Sequence, residues 1–292
     1  TLLETILLMF GGMSLFDSVC HSFATMATGG FSTKQASIAA WPSPYIQYVI
    51  ALFMFLAGTN FTLLYFAGKG KFARMFRDEE FRYYFLFVLG FTVLIFSGLL
   101  ITSTLPAENA FRDSLFTVVS IITTTGFVTA DYLMWSPVLY MLVFILFFFG
   151  GSTGSTGGGI KIMRIVLLLK NSYYELRRII HPSAVIPVRF NQHSIEPKII
   201  SNVLAFFMFY LLVFFASTVV LMIFVGDMDT SMGAVASCLG NIGPGLGEVG
   251  PVFTYSHIHD AGKWFLSFLM MLGRLELFTV LILFSPSFWT DR

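Results

Sequence analysis

The stretch DSLFTVVSIITTTGF, Asp113 to Phe127, is apolar for about ten residues and then turns to hydroxyls and glycine at Thr123, Thr124, Thr125 and Gly126. Crossing a bilayer takes about 20 apolar residues for a core about 30 Å thick. At about 1.5 Å per residue, a helix over this stretch reaches only about halfway. The same design occurs earlier as DSVCHSFATMATGGF, Asp17 to Phe31. Aligning the two aspartates without a gap pairs Thr28 with Thr124, Gly30 with Gly126 and Phe31 with Phe127. A third, more divergent version, DTSMGAVASCLGNIGPG, begins at Asp229 and replaces the threonines with a Gly-Asn-Ile-Gly-Pro-Gly run. Three half-length helices, each delivering a small polar loop to mid-membrane, point to a pore.

Composition agrees. Hydrophobic residues make up 56% of the chain and charged residues 11%, with a mean hydropathy of +0.81. Soluble domains are about a quarter charged, so the expectation is an all-α polytopic membrane protein built of repeated helix–pore-loop–helix units around a central pore. Cys20 and Cys238 fall inside the short helices without paired spacing and read as packing residues. The chain opens at Thr1 inside an apolar run, with no basic leader. It reads as the later part of a longer protein, and a fourth unit is expected before Thr1.

In chain order, residues 1–67 read as one pore unit with an incomplete leading helix and a full span over 45–66, and 68–82 as a polar connector. Residues 83–170 read as a second unit with a complete span at 83–104, a polar exit at 106–112 and the central half-helix. Its following apolar run becomes GGSTGSTGGGIK, Gly150 to Lys161. A second connector occupies 171–198, and the last unit, 199–292, carries spans at 201–225 and 264–284 before the short tail PSFWTDR. Lys69, Lys71, Arg74, Arg77 and Arg82, with Lys161, Arg164, Lys170, Arg177, Arg178, Arg189 and Lys198, are twelve of the 17 basic residues. The positive-inside rule puts both connectors in the cytoplasm, so the three half-helices dip in from outside.

A cation leaving water must be given oxygens to replace its hydration shell. Carbonyls of tight glycine-containing turns supply them, and the negative ends of the helix dipoles favour a cation at the same place. The candidate ion-binding residues are Ala27, Thr28, Gly29 and Gly30; Thr123, Thr124, Thr125 and Gly126; and Asn241, Ile242 and Gly243. Small-residue helix packing is the structural alternative for these motifs. Asp17, Asp113 and Asp229 are expected to cap the half-helices. The glycine-rich break at 150–161 cannot face lipid, because its unpaired amides must be met by protein or water. Arg274 and Glu276 stand within the last apolar span; Glu276 is one candidate to neutralise Arg274, and the carbonyls of the glycine break are another.

Other motifs fail on inspection. GSTGGGIK inserts Ile160 before Lys161 and has no following Ser or Thr, so it is not a nucleotide P-loop. The sequon at Asn60 lies inside a predicted span, and His21, His181, His193, His257 and His259 form no ligand set. No nucleophile–base pair supports an enzyme, and nothing suggests nucleic-acid binding.

TTTGF, ATGGFST, GNIGPGLG, FFGGSTGSTGGGIK and the closing GRLELFTVLILFSPSFW together resemble the TrkH/KtrB-type potassium transporters, on the TrkH branch, over essentially the whole chain. The resemblance implies four units around one pore, with Gly30, Gly126 and Gly243 as three of four filter glycines. It implies an intramembrane gating loop of Gly150, Gly151, Ser152, Thr153, Gly154, Ser155, Thr156, Gly157, Gly158, Gly159 and Lys161, held closed with the help of Arg274. It further implies potassium uptake across the bacterial cytoplasmic (inner) membrane, with K+ as transported ion and no covalent cofactor. A homodimer and a cytosolic nucleotide-binding regulatory subunit of the TrkA/KtrA type are implied as well. The competing functional class is a cation-coupled, alternating-access secondary transporter, since broken helices and repeats suit that mechanism too.

Overall fold

The computed structural model describes residues 1–184 and 186–290; Asp291 and Arg292 of the polar tail and Val185 of the second connector lie outside the described residues. The described chain is mostly helical, with a single short two-stranded hairpin among the described residues. The first unit is α1 (Leu2–Phe10), the short α2 (Leu15–Met26), and then α3 (Pro44–Ala57) and α4 (Phe61–Gly68). The first connector carries α5 (Phe72–Arg77). In the second unit, α6 (Glu79–Thr102) leads to α7 (Ala107–Ile122) and α8 (Pro137–Leu146), and α9 (Ile162–Ile180) follows the glycine-rich segment. A small antiparallel hairpin, β1 (Arg189–Phe190) and β2 (His193–Ser194), precedes the last unit. That unit is α10 (Pro197–Val225), α11 (Met228–Gly240), α12 (Asp260–Arg274) and α13 (Leu277–Leu281), with a last turn α14 (Pro286–Trp289).

Among the described residues two helices are long and apolar enough to cross a membrane unbroken, Glu79–Thr102 and Pro197–Val225. The spans expected at 45–66 and 264–284 are not single helices. The first bends by 110° between Ala57 and Phe61, and the second by 115° between Arg274 and Leu277. The first bend falls at Gly58-Thr59-Asn60 and the second at Arg274-Leu275-Glu276, short polar interruptions that a reading by hydropathy carries within continuous spans. At the first, Asn60 starts a new helix by accepting the Thr62 amide at 2.8 Å. The backbone groups freed there are met by protein: Gly58 O accepts from the Ser152 amide at 2.9 Å, and the Phe61 amide donates to Gly154 O at 3.2 Å. A broken helix at membrane depth is tolerable on those terms. At the second bend Glu276 takes a left-handed conformation, φ 58°.

The half-helices also start differently from expectation. Ser14 caps α2, accepting the Asp17 amide at 3.1 Å and donating to the Asp17 carboxylate at 2.8 Å. Asp227, not Asp229, caps α11 through the Thr230 amide at 2.8 Å. The segment expected as a polar exit, 106–112, is helical, and Asp113 therefore lies within α7, well past its first turn. None of the three aspartates is an N-cap. Their shared offset comes from the repeat, while Ser14 and Asp227 cap α2 and α11 where the chain enters them and α7 starts at Pro106 without a side-chain cap.

Each half-helix packs between its neighbours: α2 against α1 and α3, α7 against α3, α6 and α8, and α11 against α10 and α12. Ser120, Thr123, Thr124, Thr125 and Ile122 are all buried. The polar end of α7 thus sits in the interior, where each hydroxyl and amide needs a partner, while Ala27 and Gly243 of the other two ends are exposed.

Candidate selectivity filter and gate

The three half-helices end in the same turn. Thr28, Thr124 and Asn241 adopt left-handed conformations with φ of 50°, 56° and 56°. The next residue in each case closes a wide loop back onto the helix: Gly29 N to Ala24 O (2.8 Å), Thr125 N to Ser120 O (2.9 Å) and Ile242 N to Ser237 O (2.9 Å). These are the six-to-one bonds of a helix C-terminal turn. Gly30, Gly126 and Gly243 follow with φ of 65°, 81° and 115°. The divergent third repeat therefore takes the same backbone path, with Asn241 in the threonine's place. Asparagine suits the left-handed region; threonine does not, and such strain costs about 1–3 kcal/mol per residue.

The turns touch in sequence around a common axis. A methyl group built on Gly30 would overlap the carbonyl oxygen of Thr125, and one on Gly126 would overlap the carbonyl oxygen of Ile242. Nothing lies within 4 Å of a methyl built on Gly243. Glycine is required at the first two positions by both backbone angle and close approach. A cavity of about 480 Å³ opens beside the three turns, bordered by Thr28 to Phe31, Thr125, Gly126 and Asn241 to Pro244.

Side chains brace the turns from outside the axis. Ser120 donates to Phe127 O at 2.7 Å, and Ser237 donates to Gly243 O at 2.8 Å. Tyr255 also donates to Gly243 O, at 2.9 Å, and Tyr132 donates to Gly245 O at 2.8 Å. Sequence reasoning missed this set. Two tyrosines in loop segments carry no periodic signal; only the serine preceding each turn on its helix, Ser120 and Ser237, recurs.

The segment 150–161 lies against the other side of the turns and is bonded to two of them. Thr156 donates to Met26 O at 3.1 Å, and the Gly158 amide donates to Thr124 Oγ1 at 2.7 Å. The third turn is met by close approach: a methyl on Gly158 would lie 2.6 Å from Gly240 O. Within the segment, the Gly150 amide bonds Ile160 O at 2.8 Å, and Lys161 Nζ donates to Gly157 O. Its start is anchored by a buried carboxylate on α6, Glu80, which accepts the Thr153 amide at 2.5 Å. Glu80 went unnoticed in the sequence because RDEEFR reads as a solvated connector.

A second cavity, about 630 Å³, opens on the far side of this segment and is lined by Thr153 to Gly159, Lys161, Arg164 and Glu276. Arg274 borders both cavities. Glu276 does not neutralise it. The Glu276 carboxylate pairs with Arg164 at 2.5 Å, and the Arg164 guanidinium lies 4.0 Å from the centre of the Phe206 ring. Among the described residues Arg274 forms no hydrogen bond or ion pair. A fixed positive charge therefore stands where the two cavities approach.

Comparison with known proteins places this arrangement. The model of the TrkH family, described as cation transport protein, matches residues 6–290. The protein named Trk system potassium uptake protein TrkH from Halomonas elongata is 40% identical over 282 residues, 96% of this chain and 58% of its own. Its namesake from Escherichia coli K12 is 39% identical over 290 residues, 97% of this chain and 59% of its own. The crystal structure of the potassium transporter TrkH from Vibrio parahaemolyticus superposes with a TM-score of 0.94 at 37% identity, covering 99% of this chain and 62% of that one. The chain thus spans about three-fifths of the length of these relatives. With a family match over nearly every residue and the same fold, this chain belongs to the TrkH family of cation transport proteins.

Proposed function

We propose that this chain forms the greater part of a potassium-conducting pore in the bacterial cytoplasmic membrane. Carbonyls of the turns 27–30, 123–126 and 241–243 replace the ion's hydration shell, and the segment 150–161 together with Arg274 is the gate. One observation carries the reading: a single glycine- and hydroxyl-rich segment closes against the ends of all three half-helices. That is where it must stand to obstruct an axis the turns surround. The half-helix C-termini direct their partial negative ends at the same place, which favours a cation. The relatives' names supply potassium as the ion and uptake as the direction.

The open side beside Gly243 is the place for a fourth turn of the same design. The connectors that charge bias assigns to the cytoplasm offer a docking surface for a regulatory subunit of the TrkA/KtrA type, in keeping with the word system in the relatives' names. A homodimer is part of the same proposal. Transport, not enzymatic turnover, is the activity.

The test is rubidium uptake into liposomes holding the full-length protein, competed separately with potassium and with sodium, with Gly126→Ser in parallel. Uptake blocked by potassium and barely by sodium, with discrimination weakened in the variant, supports the filter. No cation flux under any condition, or unchanged discrimination in Gly126→Ser, removes it.

A further inference from the structure

The gate segment is fastened at its start by Glu80, and Glu80 belongs to the first turn of α6, Asp78 to Phe81. That turn has an unusual partner. Asp78 accepts the Phe81 amide at 2.9 Å, as a helix cap should. The remaining bonds come from the hairpin more than a hundred residues away. Asn191, at the hairpin's tip, accepts the Glu79 amide on its side-chain oxygen at 2.7 Å. Its side-chain amide donates to the Asp78 carboxylate at 2.9 Å, and its backbone amide donates to the Glu79 carboxylate at 2.8 Å. One residue thus caps the helix in trans, by three bonds. Asn191 and Gln192 hold left-handed conformations, φ 48° and 66°, so the tip is a tight reversal that aims these groups at α6.

The other end of the gate reaches the same cluster. The segment runs directly into α9, and Lys170 on α9 pairs with Glu79 and donates to Arg189 O of the hairpin at 3.0 Å. Hairpin, α6 turn and α9 therefore meet in one charge-assisted knot, from which Glu80 reaches out to bond Thr153. Bonds to ionised groups are the stronger kind.

We propose that Asn191 is a latch and Glu80 its arm. While Asn191 caps α6, the Asp78–Phe81 turn is fixed and presents the Glu80 carboxylate to the Thr153 amide. Lifting the hairpin frays that turn and releases the start of the gate segment. Asn191 and Glu80 are positioning residues, acting on the gate and not on the ion. The effect on transport rests on the pore reading given above; the mechanical link does not.

The experiment uses the full-length protein with Asn191→Gly, Glu80→Ala, both together, and Glu80→Gln. Glycine keeps the left-handed backbone and removes only the capping side chain, so Asn191→Gly leaves the tip unstrained. Hydrogen exchange at the Thr153 amide should quicken about tenfold in Asn191→Gly, while exchange in α7 and α10 stays as in the parent. Basal rubidium uptake should rise by a similar factor with potassium–sodium discrimination retained. The double variant should exceed Glu80→Ala by little, because both act through one bond, and Glu80→Gln, which keeps an acceptor, should fall between. Unchanged exchange at Thr153 in Asn191→Gly overturns the latch, as do effects of the two single variants that multiply. Faster exchange with no rubidium flux in any variant upholds the latch and removes the pore reading instead.

Discussion

Thr124 joins the second turn to the segment 150–161: its backbone shapes the turn, and its hydroxyl receives the Gly158 amide of the segment. Thr124→Val keeps the shape and leaves that amide buried without an acceptor, at about 1–3 kcal/mol, a roughly 5- to 150-fold shift toward the open segment. Basal rubidium uptake should rise accordingly, and Thr124→Ser, which keeps the hydroxyl, should stay near the parent. Asp227 makes a prediction of a different kind. Its carboxylate accepts from the Thr230 hydroxyl and amide at 2.6 and 2.8 Å, and these bonds hold it below the usual carboxylate range. The stability it contributes is complete above the unfolded value, about pH 4, and is lost as pH falls through the lower folded value. Thermal melting of the purified protein should therefore weaken on acidification below about pH 4, and less so in Asp227→Asn, whose side chain caps without titrating. The sequence announced Thr124 through the TTTG repeat. It did not announce Asp227, because a cap depends on where the chain turns into the helix, and Asp229 sits two residues on with the same chemistry.

The short helices were legible because their apolar runs stop far from the length a span needs, and the stop is written in hydroxyls and glycine. The bends at 57–61 and 274–277 were not: Gly58-Thr59-Asn60 and Arg274-Leu275-Glu276 interrupt the apolar runs, but each run resumes, and a short polar interruption does not say that the chain turns by more than 100°. The first exists because the segment 150–161 supplies partners for Gly58 O and the Phe61 amide, a contact between segments about a hundred residues apart. The charged connector hid Glu80 in the same way: burial against Thr153 is a tertiary fact. At the second bend Arg274 faces both cavities with no counter-ion among the described residues, and Glu276 is turned away to Arg164. Arg274→Ala, or shortening 150–161, should raise basal flux while leaving potassium–sodium discrimination intact, read in the same liposome assay. Unchanged basal flux in both would remove the gate assignment.

In the assembled molecule the turns follow one another in a fixed sense, Gly30 against Thr125 and Gly126 against Ile242, leaving Gly243 facing open space. With a fourth turn on that side, Gly243→Ser should damage discrimination as severely as Gly30→Ser and Gly126→Ser. A mild effect, when the other two are severe, would mean that nothing packs against Gly243 in the complete pore. The common axis was foreseen from the ungapped repeat. The close approach of successive turns was not, because it depends on how neighbouring units are rotated about that axis, which pattern within one unit does not encode.

On the proposed function, the hydrogen bond between Gly158 and Thr124 makes gate and filter one thermodynamic system. Whatever withdraws the segment also removes a donor from beneath the second turn, so the filter an ion meets in the conducting state differs from the one it meets at rest. Reciprocity then applies: an ion that binds the resting filter more tightly opposes opening, and one that binds the released filter more tightly promotes it, by the same factor. On that proposal the permeating ion is also an effector, and its concentration outside the cell enters the probability that the pore is open.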